Sequence, residues 1–147
     1  MPSSLRHAEE SLREALGPDS MPLVSFARTV EEAVREADLA IDCVPDELES
    51  KLEIFSLLDR MAPPRTVFAT PTTNLSIADL ASCTYRPGAC IGLALDAAKL
   101  AGEPGLQIPI RVTSKTKPEA QALVCAFWQR LGHAPVVELD SAEAMLR

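Results

Sequence analysis

The chain has no apolar run longer than a few residues, so it offers no membrane-spanning helix. Its opening stretch, MPSSLRHAEESLREAL, is charged and amphipathic and has no apolar h-region. That composition argues against a secretion signal and makes the cytoplasm the expected compartment. Basic residues form no cluster and the net charge is −7, which would repel a nucleic-acid phosphate backbone. The four cysteines, Cys43, Cys83, Cys90 and Cys125, show no CxxC spacing. They are expected as buried free thiols in a reducing compartment, neither cross-linked nor metal-bound. There are two histidines, His7 and His133, on separate elements, so no metal-ligand spacing exists, and both are expected at the surface. No serine stands in a GxSxG setting, which leaves hydrolase chemistry without support.

What the chain does contain is enough for one domain: 147 residues, 47% apolar and 24% charged, with no internal repeat or long linker. Leu5, Ala8, Leu12, Ala15 and Leu16 fall on one face of a helix that Gly17-Pro18 ends. Leu23 to Ala27 has the composition of a short strand. Thr29-Val30-Glu31-Glu32 is a capping box for a short helix. Leu39 to Val44, between Asp38 and Pro45, has the near-continuous apolar character of a buried parallel strand. A helix over Asp46–Asp59 follows, with Leu48, Leu52, Phe55 and Leu58 as its apolar face. Strands are expected at Thr66–Thr70, Cys90–Leu95, Leu106–Val112 and Pro135–Leu139. Helices are expected after the capping box Ser76-Ile77-Ala78-Asp79 and over Pro118–Leu131. This alternation predicts a three-layer α/β sandwich around a mostly parallel sheet.

Three segments carry more than a fold. They are Ala37–Leu58 (ADLAIDCVPDELESKLEIFSLL), Thr66–Leu80 (TVFATPTTNLSIADL) and Cys90-Ile91-Gly92-Leu93. They resemble the NAD-binding domain of 3-hydroxyacyl-CoA dehydrogenases, whose members read roughly ADLVIEAVPEDLELKKEVF, ATNTSSLSI and IGLHFFNP through these stretches. The resemblance runs from about Leu5 to Ser141. It implies an incomplete Rossmann-like domain, NAD as cofactor and an oxidoreductase lineage in fatty acid metabolism.

By that resemblance Asp46 matches an acidic residue near the nicotinamide ribose, and Lys51 a basic residue on the same helix. Thr73 matches the serine that contacts the substrate hydroxyl. The plainer alternatives are an acid favouring a helix start, a solvated lysine and a hydroxyl-rich turn that caps the next helix. The family's catalytic histidine, which takes the hydroxyl proton, falls on Ala94, and its partner glutamate on Leu106. The asparagine and proline of HFFNP fall on Ala97 and Ala98, and the first asparagine of NTSSLSI on Pro71. No catalytic residue of the family is therefore expected here. Asp96 is the one acid–base candidate that remains nearby.

No GxGxxG occurs among the six glycines, so the turn that would cradle a pyrophosphate is not found, nor is the acidic residue for the adenine ribose. The first two family strands and the C-terminal helical domain have no counterpart in this sequence. The strand beginning at Leu39 is then expected to have an open edge, filled by Leu23–Ala27, by a second copy in a homodimer, or by a partner protein. The expectation is a catalytically silent relative of the dehydrogenase domain. An interaction module, or one part of a split NAD-dependent oxidoreductase, are the alternatives.

Overall fold

The computed structural model describes residues 2–96 and 104–140. Five strands lie in chain order across one sheet: β1 (Leu39–Ile41), β2 (Val67–Pro71), β3 (Cys90–Leu93), β4 (Gln107–Val112) and β5 (Ala134–Leu139). β1, β2 and β3 are parallel, β4 runs antiparallel to β3, and β5 is parallel to β4. The mostly parallel sheet is as expected. The single reversal needs no crossover helix, because neighbouring antiparallel strands can be joined directly.

The helices are α1 (Pro2–Ser20), α2 (Val30–Val34), α3 (Leu48–Met61), α4 (Ile77–Ser82) and α5 (Pro118–Arg130). Helices α2, α3 and α4 bury Val34, Phe55, Leu58, Ile77 and Leu80 on one face of the sheet. On the other face α5 buries Ala120, Val124 and Trp128 against Ile91, Ile108 and Ile110. Both cores are apolar surface, aliphatic and aromatic, withdrawn from water, the main favourable term in folding. Gly92 brings α4 onto β3, since a Cβ there would run into the Ile77 side chain. No described helix is long and apolar enough to cross a membrane.

Capping follows the sequence closely. The Thr29 hydroxyl accepts from the Glu32 amide at 3.2 Å and the Ser76 hydroxyl from the Asp79 amide at 3.3 Å. Gly17 breaks α1, with φ 73° and ψ 176°, before Pro18. Two expectations fail. Leu23–Ala27 is not a strand: Met21–Leu23 is a single 3-10 turn, Leu23 is exposed, and Val24–Ala27 is unpaired chain. A short apolar segment becomes a strand only with a neighbour to bond, and β1 pairs with β2 alone among the described strands. The thiols are also less buried than expected: only Cys90 is fully enclosed, Cys83 and Cys125 are half-buried, and Cys43 is exposed. All four are free.

The two edges of the sheet differ. At β5 the amides of Ala134 and Asp140 point to β4, donating to Leu106 and Val112 carbonyls at 2.8 Å. By alternation Pro135, Val137 and Leu139 face outward, and Pro135 has no amide to offer another strand. At β1 the Asp42 amide donates to Ala69 and the Asp38 carbonyl accepts from Val67, so Leu39 and Ile41 present their backbone outward. No proline stands on that row.

Candidate functional site

In a parallel sheet the loops at the carboxyl ends of the strands form the crevice where ligands bind. Here the ends of β1, β2 and β3 enclose a cavity of about 290 Å³. Among the described residues, Asp42, Asp46, Lys51, Thr73 and Asp96 line it with charged or hydroxyl side chains. The three residues expected from sequence, Asp46, Lys51 and Thr73, therefore meet at one place. Each comes from a different element: the turn after β1, the first turn of α3, and the turn after β2.

Lys51 is the correction at this site. It is not a solvated lysine: it is 1% exposed, and its ammonium donates to Asp42 Oδ1 at 2.7 Å and to the Pro71 carbonyl at 3.0 Å. One helical turn into α3, the long side chain reaches back under the loops and ties β1 to β2. Asp42 is the residue that sequence reasoning missed. Its Oδ2 is buried and has no hydrogen-bond partner among the described residues. A buried acceptor left unmatched is costly, and in native structures it commonly marks a place where a ligand or water completes the set. The signal was present in the sequence: Asp42 is the one acidic residue inside the run LAIDCV, nine positions before Lys51.

The loop after β2 divides its labour. The Thr72 hydroxyl, buried, accepts from the Asn74 and Leu75 amides at 3.4 and 3.1 Å and shapes the turn. Ser76 caps α4. Thr73 does neither with its side chain. Its amide donates to Asp46 Oδ2 at 3.2 Å, and its exposed hydroxyl makes no hydrogen bond among the described residues. Asp140, just past β5, also went unnoticed: its Oδ2 accepts from the Ile77 amide at 2.7 Å and holds the start of α4 in place.

Where the resemblance put proton transfer, the chain is apolar. Ala94, at the end of β3, only donates its amide to the Pro109 carbonyl at 2.9 Å, and Leu106 packs partly against the α5 core. Neither lines the cavity. Ala97, Ala98 and Ser141 lie outside the described residues. His7 is exposed as expected, but His133 is half-buried: its Nδ1 accepts from the Leu106 amide at 3.1 Å and its ring meets the edge of Trp128. An Nδ1 that accepts leaves the proton on Nε2, so His133 holds the start of β4. Among the described residues no cluster of three acidic, histidine or cysteine side chains could hold a metal ion.

The sequence profile of the 3-hydroxyacyl-CoA dehydrogenase NAD binding domain matches residues 4–95. The chain belongs to that family. A probable 3-hydroxybutyryl-CoA dehydrogenase of Bacillus subtilis is 39% identical over 70 residues, 48% of this chain and 24% of the relative. The fatty acid oxidation complex subunit alpha of Shewanella putrefaciens is 27% identical over 137 residues, 93% of this chain and 18% of that protein. Among solved structures, the 3-hydroxyacyl-CoA dehydrogenase of Archaeoglobus fulgidus superposes with a TM-score of 0.75 at 22% identity, over 95% of this chain and 46% of that one. This likeness shows the Rossmann-like fold of the dehydrogenase domain. The domain thus spans about a quarter or less of the curated relatives it matches and about half of the solved chain.

Proposed function

We propose that this dehydrogenase-family domain keeps the nicotinamide-ribose end of an NAD site and is silent in the family's hydride-transfer reaction. The observation that supports it is the cavity holding Asp46, Lys51 and Thr73 together, with the orphaned Asp42 Oδ2 beside them. A ribose diol is both donor and acceptor, and a carboxylate oxygen without a donor suits a hydroxyl. NAD supplies a hydride acceptor when it is bound. What this chain adds is orientation: Lys51 stands on the first turn of α3, Asp46 in the turn just before it, and Thr73 is held by the hydrogen bond from its amide to Asp46. It adds no proton acceptor at Ala94, because a methyl group cannot take one. The test is calorimetric titration with NADH alongside a turnover assay with a 3-hydroxyacyl-CoA. Binding without turnover is the expected outcome, and measurable turnover by the isolated chain would sink the silent reading.

A second reading, assembly, is supported by the unblocked edge of β1. Val30, Ala33, Val34, Ile54 and Leu58 line an apolar groove of about 310 Å³ beside that edge. A second copy of the chain, antiparallel through Leu39 and Ile41, would pair the outward backbone groups and cover the groove. Light scattering is expected to give a dimer mass. Leu39→Pro, which copies at β1 the device Pro135 provides at β5, is expected to give a folded monomer. A monomeric parent chain would rule assembly out.

A further inference from the structure

We propose that the part of a second copy that fills the β1 edge is its Val24–Ala27 arm, so that two chains exchange arms across a two-fold axis. The inference rests on the assembly reading and names the residues that carry it. Two rows of backbone groups stand unmatched in this chain. One is the outward row of Leu39 and Ile41 on β1. The other is the arm. Val24 is extended, with φ −113° and ψ 132°, and the backbone amides and carbonyls of Ser25, Phe26 and Ala27 bond nothing among the described residues. Each row holds the donors and acceptors that the other lacks.

The arm is poorly placed to close on its own edge. Only Arg28–Asp38, with the five-residue helix α2 inside it, joins the arm to β1. Parallel pairing through that link is at the short limit for a crossover, about a dozen residues, and α2 is already anchored to the core by buried Val34. A second copy has no such tether, and its arm can lie antiparallel. Val24 has already given its amide to the Met21 carbonyl, so the bonded pairs are Ala27 opposite Leu39 and Ser25 opposite Ile41. In that register Phe26 leaves a cleft beside α1, where it is only half-buried, and lies opposite Ala40 over the groove of Val30, Val34, Ile54 and Leu58. Arg28, exposed and without an ion pair among the described residues, comes opposite Asp38, whose present bond to Arg65 is at the surface. The fit is therefore complementary in charge as well as apolar. Area points the same way: a stable interface buries about 1,200 Å² or more, and β1 is three residues long. Two arms seated in two grooves supply surface that edge contact alone does not.

The experiment is cross-linking and light scattering on the whole chain. The same register sets Leu23, 87% exposed, opposite the exposed thiol of Cys43. Leu23→Cys is oxidised with copper phenanthroline, and the parent and Leu23→Cys/Cys43→Ser, each with half of the pair, are the controls. Phe26→Asp is weighed beside them, with circular dichroism to check its fold. A covalent dimer that needs both cysteines, and a dimer dissociation constant raised about a hundredfold by Phe26→Asp, are expected. A parent dimer that gives no such cross-link and that Phe26→Asp leaves intact overturns arm exchange and leaves assembly standing. A cross-link closed within one chain, running as a monomer on a denaturing gel, overturns the exchange because the arm then reaches its own edge. A monomeric parent chain overturns assembly and exchange together.

Discussion

Helix α3 carries an ion pair at each end, one buried and one half-buried, and the two pairs are built differently. Near its C-terminal end Asp59 takes Arg86 Nε at 2.8 Å and the Tyr85 amide at 2.9 Å. The remaining Arg86 nitrogens donate to the carbonyls of Asp59, Ala62, Pro63 and Thr66, and the guanidinium lies 4.7 Å from the Phe68 ring centre. Every polar atom of that pair is matched. At the N-terminal end Lys51 meets Asp42 and one carbonyl, and Asp42 Oδ2 is left over beside a cavity. A saturated pair can do nothing but hold the fold, whereas an unsaturated pair next to open space can take a ligand. The more buried pair is the one left unsatisfied, so satisfaction and not burial marks the difference that matters here.

The largest effect is expected at the saturated pair. Arg86→Met leaves the half-buried Asp59 carboxylate without its counter-charge and four carbonyls without the guanidinium, which is expected to cost about 4 kcal/mol in urea denaturation. The double variant Asp59→Leu/Arg86→Met is expected to recover little of this, because the carbonyls of Asp59, Ala62 and Thr66 still lose their guanidinium donor, and only Pro63 keeps the Thr66 amide. At the other end Lys51→Met strands Asp42 alone, at an expected cost of about 3 kcal/mol. There the double variant Asp42→Leu/Lys51→Met is expected to regain most of the loss, since only one carbonyl depended on the lysine. The same double variant is expected to abolish nucleoside binding. Equal rescue at both ends would erase the contrast between a structural and a functional pair.

The contrast was half legible in the sequence. Strand and helix positions came from periodicity, and the caps at Thr29 and Ser76 from their own four-residue patterns, since those interactions are local. Asp46, Lys51 and Thr73 were found because they keep the family's order along the chain. Their environment was not: a lysine on an amphipathic helix gives no local sign that it turns inward to Asp42. Asp140 capping α4 and Arg86 gathering carbonyls from 20 or more residues away are long-range contacts that no window reports. Leu23–Ala27 failed for the same reason, because a strand is a property of two segments and no described segment pairs with it.

A middle-sized effect tests how closely α4 is bound to the sheet that frames the site. Gly92→Ala places a methyl group where the Ile77 side chain already sits. Ile77 is fully buried at the first position of α4, so it has little room to yield. An overpacking cost of about 2 kcal/mol is expected. Ile77→Val in the same chain should relieve part of it; if it does not, the close approach is not what fixes glycine there.

The smallest effect concerns the fully buried thiol, Cys90, which opens β3 beside the Arg86 end. Burial away from water pushes the Cys90 thiol from its ordinary value near 9 up to about 12, and a hydrogen bond with Thr84 opposes this only in part. The proton is held more tightly in the folded chain than in the unfolded one. Below pH 9 both states keep it and stability is unaffected by this group. Between pH 9 and about 12 the unfolded chain gives the proton up while the folded chain keeps it, so stability falls as pH rises, by up to about 1.4 kcal/mol per unit from this group. Urea midpoints at pH 8.0 and 9.5 should therefore separate for the parent chain and separate less for Cys90→Ala, whose own cavity lowers both midpoints together. Alkylation at pH 8 adds a second readout: the exposed Cys43 should react and Cys90 should not. Rapid modification of Cys90 in the folded chain would mean that the β3 core opens far more readily than its packing against α4 implies.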